Sequence, residues 1–169
     1  MSCFRNMILL ALSLTLAGCQ RDSGPDPLQL TGKMFVFNYR LAYATYMVTL
    51  NRTQPVPEGS TVTAEFQNPA GGDALTLTRP LFPRQEKVVL ESPDVTCIKK
   101  QTPYRVAIRV NAPDGTELQR LETTVVSDLD QSVLPAEALV IGPGYEKNPR
   151  MFRNGGLLPR HFDATKCPQ

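Results

Sequence analysis

The stretch PYRVAIRVN, Pro103 to Asn111, puts a large apolar side chain on every second residue. Tyr104, Val106, Ile108 and Val110 share one side, while Arg105 and Arg109 fall on the other. A helix repeats every 3.6 residues and would scatter that set around its circumference; an extended strand points alternate residues to opposite faces. The segment therefore reads as a half-buried strand, with one face for a core and one for water.

The same period recurs along the chain. Val62, Ala64 and Phe66 alternate with Thr61, Thr63 and Glu65, and after "NPAGGD" Leu75 and Leu77 alternate with Thr76 and Thr78. This predicts a hairpin with a six-residue loop. A shorter strand is expected over Lys87–Glu91, and a returning one over Leu118–Val126 after the turn "NAPDGTE". In that turn Pro113 presets the bend and Gly115 is free to take positive φ. Upstream, Phe35, Phe37, Tyr39, Leu41 and Tyr43 carry the large groups on odd positions, but from Tyr46 through Val48 to Leu50 the phase is even. A bulge or sharp bend near Ala44 and Thr45 is expected, in one bent strand or where two strands meet. Ala138–Ile141 offers one more apolar patch.

No segment has a convincing amphipathic helical period, and 15 prolines with no tryptophan suit short strands between turns. Strands about ten residues apart, separated by turn signals, predict an all-β fold. The expected architecture is an antiparallel two-sheet sandwich of immunoglobulin or fibronectin III style, with a transthyretin-like sandwich as the alternative. Residues 33–141 form the sandwich, and 142–169 an irregular basic tail.

The amino terminus obeys different rules. Arg5 is followed by an uncharged run from Met7 to Ala17, too short to cross a bilayer, which takes about 20 apolar residues. The run ends in Leu16-Ala17-Gly18-Cys19, which resembles the lipobox of bacterial lipoprotein precursors. The resemblance implies a signal peptide over 1–18, cleavage after Gly18 and diacylglycerol on the Cys19 sulfur. One acyl chain anchors only marginally, and each further buried methylene adds about 0.8 kcal/mol, so two or three chains make a durable tether. Gln20 stands where aspartate would favour inner-membrane retention in enteric bacteria. The expected location is therefore the outer membrane, facing the periplasm. Residues 19–32, polar and rich in turn formers, read as a flexible leash.

An oxidising compartment gives the remaining thiols a role. Cys3 leaves with the signal and Cys19 is acylated, so Cys97 and Cys167 form the candidate disulfide. It would pin the tail back across the sandwich. Two thiols are too few for a zinc site, which takes four ligands, so no metal or cofactor is expected. With 18 basic and 16 acidic residues, of which only Arg5 leaves with the signal, no nucleic-acid surface is expected either.

Catalytic constellations are scarce. His161 is the single histidine; a triad would need it with Asp163 and one of Ser60, Ser92, Ser127 or Ser132. No Gly-x-Ser-x-Gly elbow frames these serines, and His161 reads as a solvated tail residue. Asp128 and Asp130 offer a paired-carboxylate or calcium reading, against the plainer one of a polar turn. Tyr39, Tyr43, Tyr46, Tyr104 and Tyr145 suggest a sugar-stacking platform, though Tyr46 is out of phase with its neighbours and most suit a core or sheet surface. Lys147, Arg150, Arg153 and Arg160 are the candidate contacts to a partner or an anion.

The expected function is a non-enzymatic, lipid-anchored adaptor or accessory factor for an envelope protein complex. Its layout is similar to that of secretin-pilot-type lipoproteins, which escort outer-membrane pores. A glycan- or peptidoglycan-binding module is the second reading, and a hydrolase the third.

Overall fold

The computed structural model describes residues 25–158 and 161–168. The signal segment, Cys19 and Arg160 lie outside the described residues.

Seven strands build two antiparallel sheets. They are β1 (Leu28–Asn38), β2 (Tyr43–Arg52), β3 (Thr61–Phe66), β4 (Leu75–Pro80), β5 (Lys87–Glu91), β6 (Pro103–Asn111) and β7 (Glu117–Val126). One sheet runs β1-β2-β5, and the other β4-β3-β6-β7. This three-plus-four partition is the fibronectin III form of an immunoglobulin-like sandwich. The alternating residues that defined the strands meet between the sheets. Tyr46, Val48 and Leu50 of β2 and Leu90 of β5 face Val62 and Phe66 of β3 and Val106, Ile108 and Val110 of β6, all buried. Burying each such side chain stabilises the fold by about 1.5–3 kcal/mol.

Aromatic rings cluster in one part of this core. The Tyr46 ring packs 4.3 Å from that of Phe35 and 5.2 Å from that of Phe66, and Tyr104 meets Phe35 edge-on at 5.7 Å. Offset and edge contacts of this kind suit the ring quadrupoles. The two hydroxyls find backbone partners: Tyr46 Oη donates to the Gln67 carbonyl at 2.7 Å, and Tyr104 Oη accepts from the Lys99 N–H at 2.8 Å. Tyr104 opens β6 and reaches back to the preceding corner, the arrangement of a tyrosine corner. Burial, and after it the neighbouring Tyr104, pushes the Tyr46 hydroxyl well above its ordinary value.

The phase change in the first strand region is a turn between two strands, not a bend. Asn38 pairs with Tyr43, so Tyr39–Ala42 make the hairpin turn, and Ala44 and Thr45 already lie in the β2 ladder. Asn38 accepts the Leu41 N–H through its side chain at 3.0 Å, and Ala42 takes a φ of 58°. The irregularity of the ladder lies further upstream, between Leu30 and Gly32.

The folded body also starts earlier than Lys33. β1 begins at Leu28, inside the stretch that reads as leash. The reason is a distant residue: Gln119 of β7, buried, accepts the Leu28 N–H at 3.0 Å and donates to the Leu28 carbonyl at 2.7 Å. Paired on both sides, Leu28 has its backbone satisfied and its side chain in the core. The β3–β4 loop is longer than six residues, spanning Gln67–Ala74 between the paired Phe66 and Leu75.

Strand directions give the molecule two poles. β1 runs from Leu28 at one end to Asn38 at the other, about 33 Å apart at 3.2–3.4 Å per residue. The Leu28 end also holds the turn after Asn111 and the start of β7. The opposite end holds the Tyr39–Ala42 turn, the β5–β6 connection and the described residues after Val126.

Among the described residues beyond Val126 there is no further strand of either sheet, and Ala138–Ile141 contributes only a two-residue piece. β8 (Val140–Ile141) pairs with β9 (Glu146–Lys147), and β10 (Phe152–Arg153) with β11 (Gly156–Leu157). Single 3₁₀ turns occur at Gln131–Val133 and Ala164–Lys166.

Candidate functional site

The distal pole, opposite Leu28, gathers the residues with chemistry to offer. Its frame is the Cys97–Cys167 disulfide, with Cα atoms 5.4 Å apart, which ties the end of the chain to the β5–β6 connection. Backbone bonds continue the seam: the Phe162 N–H donates to the Leu134 carbonyl at 3.1 Å, and the Leu139 N–H to the Arg40 carbonyl at 2.9 Å. Lys99 Nζ donates to the Pro168 carbonyl at 2.7 Å.

Asn148 organises the middle of this cap. It is buried; its side chain donates to the Ala138 carbonyl at 2.7 Å and accepts the Arg150 N–H at 3.0 Å. Its own N–H donates to the Leu139 carbonyl at 2.9 Å, and Met151, fully buried, fills the space behind. The β10–β11 hairpin turns on Asn154 and Gly155, at φ 51° and 80°. Asn-Gly is the residue pair that a two-residue type I′ turn demands.

Against this frame stands an exposed aromatic and basic patch. The β8–β9 turn is Gly142–Tyr145, with Gly142 at φ 69°. The Glu146 carboxylate folds into it, its oxygens 3.0 Å from where a Cβ would sit on Gly142 or Gly144, so a larger residue at either would push that carboxylate aside, and at Gly142 the positive φ itself favours glycine. Tyr145 itself takes φ 53° and is 56 % exposed. The Arg40 guanidinium, from the β1–β2 turn, lies 5.2 Å from the centre of its ring. Beside Arg40 in the same turn is Tyr39, 48 % exposed. Further along, Lys147 Nζ lies 5.4 Å from the Phe152 ring centre. Such cation–ring contacts add about 0.5–1 kcal/mol at exposed sites.

The three described tail cations have separate surroundings. Lys147 packs on Phe152, and Arg150 grips Glu137 through two 3.0 Å contacts. Arg153 is exposed on β10. Sequence reasoning missed Arg40, which falls on an even position of an alternating run and looks there like an ordinary solvent-facing strand residue. It also missed the Asn154-Gly155 turn, whose signal was present.

The tyrosine platform divides. Tyr46 and Tyr104 belong to the core, Tyr43 is half-buried, and Tyr39 and Tyr145 remain available.

Three of the four candidate serines, and Asp163, are committed to local bonds. The hydroxyls of Ser60, Ser92 and Ser127 donate to the carbonyls of Pro57, Pro93 and Leu129. Asp163 Oδ1 accepts from the Thr165 hydroxyl at 2.6 Å and from its N–H at 3.1 Å, which holds the carboxyl below the usual range. His161 is exposed and bridges Pro135 through its backbone. The Asp128–Asp130 pair is a polar turn: Asp128 accepts from the Gln101 side chain at 2.7 Å, and Asp130 caps the 3₁₀ turn through the Ser132 N–H at 3.0 Å. Among the described residues, no three His, Cys, Asp or Glu side chains converge on a point that would suit a metal ion.

Two clefts lie apart from the patch. One of about 280 Å³, on the outer face of the four-stranded sheet, is lined by Glu65, Gln67, Arg105 and the Gly72 loop. The other, about 210 Å³, lies beside the disulfide against Gln131 and Phe162.

No family model matches the sequence, and no curated protein matches it. Solved structures match parts of the chain at low similarity. A family 76 glycoside hydrolase from a bovine Bacteroides thetaiotaomicron strain is 16 % identical over 60 % of this chain, with a TM-score of 0.41. OgpA from Akkermansia muciniphila is 14 % identical over 63 %, with a TM-score of 0.38. An endonuclease/exonuclease/phosphatase from Beutenbergia cavernae is 18 % identical over 56 %, with a TM-score of 0.31. The chain spans 20 %, 29 % and 27 % of these proteins respectively. Likeness at this level carries no argument about function.

Proposed function

We propose that this chain is a lipid-tethered protein of the bacterial envelope, acting without catalysis as an adaptor whose working face is the distal pole. The observation that carries the reading is the opposition of the poles. The lipobox-like Leu16–Cys19 lies upstream of Leu28, and β1 carries the chain from Leu28 away to the Tyr39–Ala42 turn. A tether entering at Leu28 presents Tyr39, Arg40, Tyr145 and the tail hairpins to whatever lies away from the bilayer. Confinement at a surface raises the effective concentration of that face toward other envelope components without any added contact. The commitment of Ser60, Ser92, Ser127 and Asp163 to local bonds supports a binding role over a hydrolytic one.

Two measurements test it together. Mass spectrometry of the amino-terminal peptide is expected to find Cys19 acylated and Met1–Gly18 gone. A photo-reactive residue at Arg153 is expected to capture an envelope component in intact cells. An unmodified amino terminus on cytosolic protein refutes the reading.

A further inference from the structure

Tyr145 is an expensive place to keep a tyrosine. At φ 53° the Cβ crowds the backbone, and the position suits glycine or asparagine. Backbone strain of this kind runs to about 1–3 kcal/mol and concentrates where a side chain has to be aimed. The ring has no core to fill, since it is 56 % exposed. What it gains is a guanidinium: Arg40, from a segment about a hundred residues away in sequence, is held on it at 5.2 Å. Arg40 is fixed there by its own carbonyl, which accepts the Leu139 N–H one residue before β8. Two turns from different parts of the chain are thus locked together so that one cation backs one exposed aromatic ring.

We infer that this pair, with Tyr39, binds a glycan strand with carboxylates alongside it, as in the bacterial cell wall, whose stem peptides carry them. The inference rests on the distal pole being the working face. A pyranose ring has a flat face of C–H groups that packs on the negative face of an aromatic ring, and a hydrogen-bonding edge that needs a polar partner alongside. Tyr145 supplies the first on the ring face that Arg40 does not cover, and Arg40 the second, with the planar fork that best fits a carboxylate. Tyr39 adds a second exposed ring beside Arg40 for a neighbouring sugar. A peptide bound as a strand or a helix would need a different surface: an unpaired strand edge or an apolar groove. The two clefts lie on the outer face of the four-stranded sheet and beside the disulfide, not at Tyr145.

The test uses the full-length chain in detergent and protein-free cell-wall sacculi in a sedimentation assay, with soluble uronic-acid oligosaccharides as competitor. The wild type is expected to sediment and to be displaced by the competitor. Tyr145→Asn, which suits the positive φ, is expected to weaken binding at least tenfold with an unchanged or higher melting temperature. Tyr145→Phe is expected to keep most of the affinity. Arg40→Gln is expected to lose severalfold and to lose the salt dependence with it. No sedimentation of the wild type, or equal binding by Tyr145→Asn, overturns the inference. Capture of an envelope protein through Arg153 by a chain that ignores sacculi would overturn the glycan and leave the adaptor. An unacylated amino terminus with intact sacculus binding would do the reverse.

Discussion

The sandwich and its distal cap solve the same problem, holding a chain in one shape, by opposite means. From Leu28 to Val126 the backbone is satisfied by long ladders, and a shared apolar core sets the register. From Ser127 onward the ladders are two residues long, and order comes from point attachments: the Cys97–Cys167 bridge, the Asn148 side chain and buried Met151. The first mode is cooperative, because sliding a strand by one residue turns all its side chains to the wrong face. The second is piecemeal, since each attachment holds its own few residues. A surface that has to aim particular side chains is easier to build by the second mode, on a base made by the first.

The largest effect should come from the core. Phe66→Ala is expected to lower stability by about 3–5 kcal/mol in urea unfolding. Its signature is simultaneous loss of amide-exchange protection in sandwich and cap. Replacing Cys97 and Cys167 together by alanine is expected to remove up to about 4 kcal/mol, on the chain-entropy account of a 70-residue separation. Here protection at Asn148 and Phe162 should collapse while Tyr46 and Ile108 keep theirs. If the sandwich amides open equally, the two-mode distinction is broken.

Gln119→Ala sharpens the comparison at the other pole. It strips the Leu28 N–H and carbonyl of their partners, and a loss of about 2 kcal/mol is expected, with fraying confined to the start of β1. The smallest effect is in acid. The Asp163 carboxyl is held below its usual value by the Thr165 hydroxyl and N–H. Its contribution is therefore complete above that usual value and is lost as pH falls through the lowered one. Protection of the last 3₁₀ turn should fade below about pH 4, and Asp163→Asn should make it insensitive to pH. Tyr46 gives the alkaline counterpart. Its proton is held more tightly folded than unfolded, so stability should decline as pH rises past 10.0, and Tyr46→Phe should flatten that decline.

Much of the sandwich was legible because its rules are local. Pro103–Asn111 and Lys87–Glu91 emerge with the bounds that their alternation predicts. The Cys97–Cys167 pair followed from compartment and elimination, and the structure bonds them. What was hidden was set by distant partners or by unusual residues in turns. Leu28 looks like leash until Gln119, 91 positions on, is seen to hold it. The Tyr39–Ala42 turn lacks glycine, so the alternation runs through it and leaves one bent strand and two strands equally readable, with the break placed late, at Ala44 and Thr45. The site was half visible: Tyr145 was noticed for its ring and Arg150 for its charge. Arg40 was not, because a cation–ring contact between two turns leaves no pattern in either segment.

The opposed poles also fix how the molecule meets force. A pull between the amino-terminal segment and the Tyr145 turn acts along β1 and β2, while the bonds between those strands run across it. The ladder is then strained in shear, with its rungs resisting together instead of opening one at a time like a zip. A spacer between two anchored bodies is mechanically strongest in that orientation.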